Sequence, residues 1–208
     1  DCQISLYPET PVKVAAQGDH LAIAAARTPN DPEYSLQWGL KNTGQAPFYG
    51  TSGAHINAPD AWSMTTGSSS VVIAVVDTGV DYSHPDLAAN IWRNTAEIAN
   101  NGIDDDKNGY IDDVKGWNFV SKNNDPKDDN GHGTHCAGVI AAVGNNNIGI
   151  AGTCWNAKIM PLKFLSSSGN GYVSDAISAI LYANTKGAHI ISNSWGGSQY
   201  TQALKDAI

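Results

Sequence analysis

Six consecutive residues, Val71-Val72-Ile73-Ala74-Val75-Val76, are apolar and mostly β-branched, and the run stops at Asp77. A short run with no polar alternation suits a strand covered on both faces, as in the middle of a parallel sheet. Residues 158–165 and 188–192 also have strand character. Elsewhere the period changes. Val173, Ala176, Ile177, Ile180 and Leu181 fall at i, i+3, i+4, i+7 and i+8, which predicts an amphipathic helix closed by Lys186-Gly187. Small apolar residues over 135–143 predict a buried helix, and 199–208 predict the start of another. Asn57 ahead of Ala58-Pro59 reads as an N-cap with an early proline, opening a short helix through Trp62. Strand–helix–strand–helix order implies right-handed crossovers, hence an α/β fold with a parallel sheet and helices on both faces.

Two stretches carry no clean period. Residues 1–27 read as a linker or the tail of a preceding segment, with Thr28-Pro29-Asn30-Asp31-Pro32 as the boundary. Residues 90–131 are rich in Asn, Asp and Gly and read as loops. At 208 residues with 41% hydrophobic and 15% charged side chains, the chain has the means to bury a core. The net charge of −8 disfavours a sequence-independent grip on nucleic acid, which needs basic clusters. Acidic loops suit hard cations instead. No apolar run approaches the ~18 residues that span a bilayer. Residues 1–27 lack the basic start of a secretory signal.

In parallel α/β sheets, active sites gather at the carboxyl ends of strands. Asp77 ends the buried strand, and His132 lies in Asn130-Gly131-His132-Gly133-Thr134-His135, just ahead of the expected buried helix. A carboxylate there can accept the imidazole Nδ1–H and fix its tautomer while Nε2 takes a proton from a hydroxyl. Taken singly, such an Asp is a turn cap and such a His a loop residue; only the whole constellation argues chemistry.

The constellation is present. Val75-Val76-Asp77-Thr78-Gly79-Val80-Asp81 with His84-Pro85-Asp86-Leu87, then His132-Gly133-Thr134-His135-Cys136-Ala137-Gly138, then Ser192-Asn193-Ser194-Trp195-Gly196-Gly197, closely resemble the subtilisin-like serine proteases, in that family's order. The resemblance spans residues 28–208 and is nearest to the thermitase and proteinase K branches. It implies a subtilisin-like catalytic domain represented by its N-terminal part, with residues 1–27 a linker or propeptide tail. It makes Asp77 the triad aspartate, His132 the general base and His135 a structural neighbour. It assigns Ser194, Trp195 and Gly196 to one substrate-pairing segment and Gly169, Asn170 and Gly171 to the opposite one, with an extended peptide between them. Trp195 stands where the family often has leucine, which alters the pocket. The family's serine follows Asp and His, and is expected roughly 150 residues beyond His132, after Ile208, as is the oxyanion-hole asparagine. Gly50-Thr51-Ser52 precedes Asp77, lacks the Met-Ala continuation and reads as a loop. The resemblance also makes Cys136 a buried free thiol behind the base, leaving Cys2 and Cys154 as the available pair.

Two cation sites are expected. In Asp104-Asp105-Asp106-Lys107-Asn108-Gly109-Tyr110-Ile111-Asp112-Asp113, oxygens fall at positions 1, 3 and 5 with Gly at 6, like the front of an EF-hand loop. Asp104, Asp106, Asn108 and Tyr110 would be ligands. Position 12 is Lys115, so Asp112 and Asp113 are expected to supply the missing oxygens. The alternative is a solvated acidic loop. The second site is implied by the resemblance to thermitase-like members: side chains of Asp31, Asp86 and Asn146, with carbonyls of Val143, Ile148 and Ile150. The Asn118–Asp128 stretch has Ser121 and Asn123 in place of carboxylates and is not expected to form a further site. The expectation is a secreted, Ca2+-stabilised serine endopeptidase acting on peptides or proteins, this chain alone being inactive. Its partners would be substrate and either a propeptide or its own C-terminal catalytic fragment, with no nucleic acid and no membrane. A processed non-catalytic fragment and a calcium-binding interaction module are the alternatives.

Overall fold

The computed structural model describes residues 25–197 and 200–208. The linker or propeptide reading of residues 1–27 therefore falls almost wholly outside the described residues, as does Cys2. Helix α1 (Ala58–Met64) leads to strand β1 (Val72–Asp77). Then come β2 (Trp117–Asn118), α2 (His132–Ala141), β3 (Lys158–Lys163), α3 (Val173–Thr185), β4 (Ile190–Ser192) and α4 (Gln202–Ala207). The strands form one sheet in the order β2-β3-β1-β4, with every pairing parallel. β1 pairs with β3 along its whole length, from Val72 opposite Lys158 to Asp77 opposite Lys163.

Alternate residues of the central strands face opposite helices. Ala74, Val76, Met160 and Leu162 pack against Ala176, Ala179, Tyr182 and Ala183 of α3. Ile73, Val75 and Ile159 pack against Ala137 and Ala141 of α2. Both faces of β1 are thus covered, which is why its sequence has no polar alternation. No helix among the described residues is long and apolar enough to cross a membrane.

Three details differ from the periodicity reading. The α3 stripe is rotated: Val173 and Leu181 are exposed, and the buried face runs through Ala176, Ala179, Ile180, Tyr182 and Ala183. Alanines bring the helix close to the sheet, and a larger side chain there would hold it off. Strand β2 was hidden by its length of two residues inside a polar loop. Asn57 does precede α1, but in a left-handed conformation and without a side-chain cap.

Residues ahead of β1 form a third cluster in which Leu40, Ala58 and Trp62 meet Ala151 and Trp155, with Tyr34 against them. The Arg27 guanidinium lies 4.7 Å from the centre of the Trp155 ring, within cation–π range.

Candidate active site

β1 delivers Asp77 to the carboxyl end of the sheet, where it is 1% exposed. Its Oδ1 accepts from the Thr78 amide at 2.6 Å and lies 2.8 Å from Nδ1 of His132. The helix expected to start at His135 starts at His132, so the imidazole rides on its first residue. About half of that side chain is exposed, which leaves the Nε2 edge open.

The early helix start has a cause that is only partly local in sequence. Gly131, at the N-cap, has no side chain, and φ is +106°, a conformation that favours glycine. Side chains of Asn130 and Asp128 and of the distant Thr78 cap the first turn instead. The amides of His132, Gly133 and Thr134 donate to Asn130 Oδ1 (3.2 Å), Thr78 Oγ1 (2.9 Å) and Asp128 Oδ2 (2.9 Å). Small residues let α2 close on the strand: a methyl group on Gly133 would lie 2.1 Å from the Gly79 carbonyl oxygen.

Asp128 was not singled out from the sequence. Its carboxylate accepts from the Thr78 hydroxyl, the Asn130 and Gly131 amides, and both the amide and hydroxyl of Thr134. Partial burial pushes this carboxyl up, but those hydrogen bonds, led by Gly131 and Thr134, outweigh it and hold it below its ordinary value.

Lys163, at the end of β3, is buried with its ammonium donating to the carbonyls of Thr78 (2.6 Å) and Leu165 (2.9 Å) and to Asp129 (2.6 Å). Cys136 lies one turn along α2 with Sγ 4.0 Å from His132 Nδ1, and is half-buried rather than buried. Burial pushes its thiol up, Asp77 adds to the rise, and Ser194 works against it. A thiol pushed up in this way, on the Nδ1 side of the ring, is poorly set to act as a nucleophile.

The segments after β3 and β4 form a cleft. Gly169, Asn170, Gly171, Trp195 and Gly196 line a cavity of about 450 Å³ together with Phe164, Leu165 and Asn193. Trp195 packs on Phe164 with ring centres 4.8 Å apart. Ser194 does not line this cavity.

All six residues of the cation site implied by the resemblance are drawn together. Asp31 and Asp86 are buried, and Asn146 joins them, its amide donating to Asp31 (3.3 Å) and its Nδ2 to Asp86 (2.8 Å). Asp86 also accepts from the Ile150 amide and, through its carbonyl, from the Val143 amide; Ile148 donates to Asn146 Oδ1. Among the described residues, neither carboxylate is in an ion pair with a basic side chain. Two buried carboxylates without a counter-charge fit a divalent cation.

The acidic loop folds differently from the EF-hand expectation. Asp104 accepts from the Asn108 and Gly109 amides, and Asp112 from the Asn101 and Gly102 amides. Asn108 Oδ1 accepts from the Tyr110 amide, and the Tyr110 ring packs against Trp117, Phe119 and Tyr182. The carboxylates that do converge are Glu97, Asp106 and Asp113. Glu97 was missed because a lone acid nine residues before Asp106 carries no local signal. Lys186 pairs with Asp106 and lies 3.9 Å from Asp113. Asp113 also accepts from Asn94, Asn108 and the Tyr182 hydroxyl. One ammonium opposes three carboxylates, and Asp106 keeps a buried oxygen without a partner. That donor set also fits a hard cation, but with Glu97 in place of Asp104 and Asp112.

A profile of the subtilase family matches residues 68–208. The chain is 39% identical to thermitase of Thermoactinomyces vulgaris over 182 residues, covering 87% of this chain and 52% of thermitase. It is 38% identical to Subtilisin-like protease 1 of Plasmodium vivax over 180 residues, covering 86% of this chain and 27% of that protein. A solved structure described as a cold adapted subtilisin-like serine proteinase aligns at 28% identity and a TM-score of 0.48, covering 66% of this chain and 40% of that one. The chain spans about a quarter to a half of the length of these two curated relatives. On the strength of the family match and the thermitase identity, it is a member of the subtilase family.

Proposed function

We propose that this chain carries the aspartate and base of a serine endopeptidase whose nucleophile and oxyanion donor lie in sequence after Ile208. The observation that carries this reading is the 2.8 Å contact between Asp77 and His132 at the carboxyl end of a parallel sheet, with the far edge of the imidazole open. Asp77 holds the Nδ1–H tautomer and stabilises the imidazolium. His132 Nε2 then takes the serine proton during attack on the peptide carbonyl and returns it to the leaving amine. Residues 169–171 and 194–196 would grip an extended peptide, or a propeptide, by adding it as a strand. Subtilase membership supports peptides and proteins as the substrate class.

Calcium belongs to the same proposal. Asp31, Asp86 and Asn146 would hold one ion together with carbonyls of Val143, Ile148 and Ile150; Glu97, Asp106 and Asp113 would hold another. When bound, the ion supplies charge compensation that ties separate chain segments together. A secreted location goes with this reading, and assaying culture medium against cells for the natural protein tests it.

The functional test is peptide hydrolysis by the longer parent protein, its His132→Ala and Asp77→Asn variants, and the 208-residue chain, all with calcium. The parent is expected to turn over. His132→Ala loses about 10⁶-fold, as triad histidines do in subtilisin, and Asp77→Asn about 10⁴-fold. Full activity in His132→Ala would overturn the base, and serine-reagent-sensitive turnover by the chain alone would overturn the placing of the nucleophile.

A further inference from the structure

Asp77 and His132 come from different elements, 55 residues apart, and their alignment depends on how the end of β1 meets the start of α2. Asp128 sits at that junction and touches both sides. Its Oδ1 accepts from the Thr78 hydroxyl at 2.8 Å and from the Asn130 and Gly131 amides at 3.0 Å each. Its Oδ2 accepts from the Thr134 amide at 2.9 Å and the Thr134 hydroxyl at 2.6 Å. Thr78 follows Asp77 directly, and its hydroxyl oxygen in turn accepts from the Gly133 amide at 2.9 Å. The Thr134 hydroxyl oxygen accepts from the Asp81 amide at 2.9 Å, tying in the turn after the strand. One carboxylate thus holds residues on both sides of His132 and the residue next to Asp77.

We propose that Asp128 is a positioning residue for the general base, acting through Thr78 and the first turn of α2 to keep the imidazole on Asp77. The inference rests on the reading of His132 as that base. A carboxylate is required because all five partners are donors. An asparagine keeps one acceptor oxygen and turns an NH2 group toward the Thr134 amide and hydroxyl, so that amide loses its cap. Thr78 works as a relay because a hydroxyl donates to Asp128 while accepting from Gly133; serine can do the same and valine cannot.

The test is proton NMR of the His132 Nδ1–H, which resonates at low field when it is held by a carboxylate, in the 208-residue chain. The variants are Asp128→Asn, Thr78→Val, Thr78→Ser and Asn90→Ala. Asn90 ties the other end of α2, donating to the Ala141 and Trp155 carbonyls, so its loss loosens the helix away from the site. Below each variant's melting temperature, the resonance is expected to vanish in Asp128→Asn and Thr78→Val, and to persist in Thr78→Ser and Asn90→Ala. An unchanged resonance in folded Asp128→Asn overturns the proposal, as does its equal loss in Asn90→Ala. Where Asp128→Asn does not fold, the Thr78 pair decides, and equal signals from valine and serine overturn it. Absence of the resonance from the unmodified chain overturns the Asp77–His132 reading itself, and this inference with it.

Discussion

Adding one methyl group at Gly133 tests how closely α2 must approach β1. The new carbon would lie 2.1 Å from the Gly79 carbonyl oxygen, 3.1 Å from Asp77 Cβ and 3.2 Å from Asp77 Oδ1. The first obstacle is backbone and cannot rotate away, so relief means moving the helix start by about 1 Å to restore ordinary van der Waals separation. The imidazole is carried on the preceding residue and moves with it, breaking a 2.8 Å contact. Overpacking of this kind costs about 1–3 kcal/mol, which for a domain of this size is about 2–12 °C in melting temperature. A misplacement of about 1 Å costs about 10²-fold in rate. Gly133→Ala is therefore expected to melt lower, to lose the Asp77–His132 hydrogen bond, and to cut kcat in the parent protease about a hundredfold. Gly131→Ala is the contrast: nothing lies within 4 Å of its added methyl, but φ is +106°, so it costs backbone strain without the clash. A crystal structure of Gly133→Ala with the 2.8 Å contact intact, together with undiminished turnover, would refute the reasoning.

Calcium at 100 times its dissociation constant is expected to add about 2.7 kcal/mol, or about 5–10 °C. Asp31→Asn should lose much of that rise, and a melting temperature indifferent to calcium and chelator counts against both sites. Burial pushes the Asp106 carboxyl up, but Lys186 and Asn94 outweigh it and leave it below its ordinary value. Its stabilisation is therefore complete above about pH 4 and is lost as pH falls through the lower folded value. Lys186→Gln leaves burial less opposed, so acid unfolding should begin at higher pH; an unmoved onset would show the ion pair to be idle. Because burial first, and then Asp77, raise the Cys136 thiol, iodoacetamide at pH 8 should modify it more slowly in the folded than in the urea-unfolded chain. Equal rates would contradict that environment.

The central sheet was legible because burial on both faces leaves an unbroken apolar run, as in β1, and because a 13-residue helix such as α3 repeats its period several times. The rotation of α3 was not legible, since apolar counting weighs Leu181 above Ala179 while close packing on a sheet prefers the smaller residue. Asp77 and His132 could be named from their motifs, but part of the capping that starts α2 at His132, the hydroxyl that takes the Gly133 amide, comes from Thr78, more than fifty residues upstream. The acidic loop shows the same limit. Spacing places Asp104 and Asp112 in line with Asp106, yet their oxygens are taken by backbone amides within the loop, and the third converging carboxylate is Glu97.

The Lys163 ammonium uses all three of its protons on fixed acceptors: one beside Asp77, one at the cleft wall and one in the loop before α2. A lysine held in this way rivets three chain segments together. Widening the cleft near Leu165 to admit a different side chain would shift a carbonyl bound to the same nitrogen that holds the carbonyl of Thr78, next to Asp77. Under the proposed function, selectivity and catalytic rate share a fastening. Engineering one is expected to disturb the other unless the replacement leaves the Leu165 carbonyl in place.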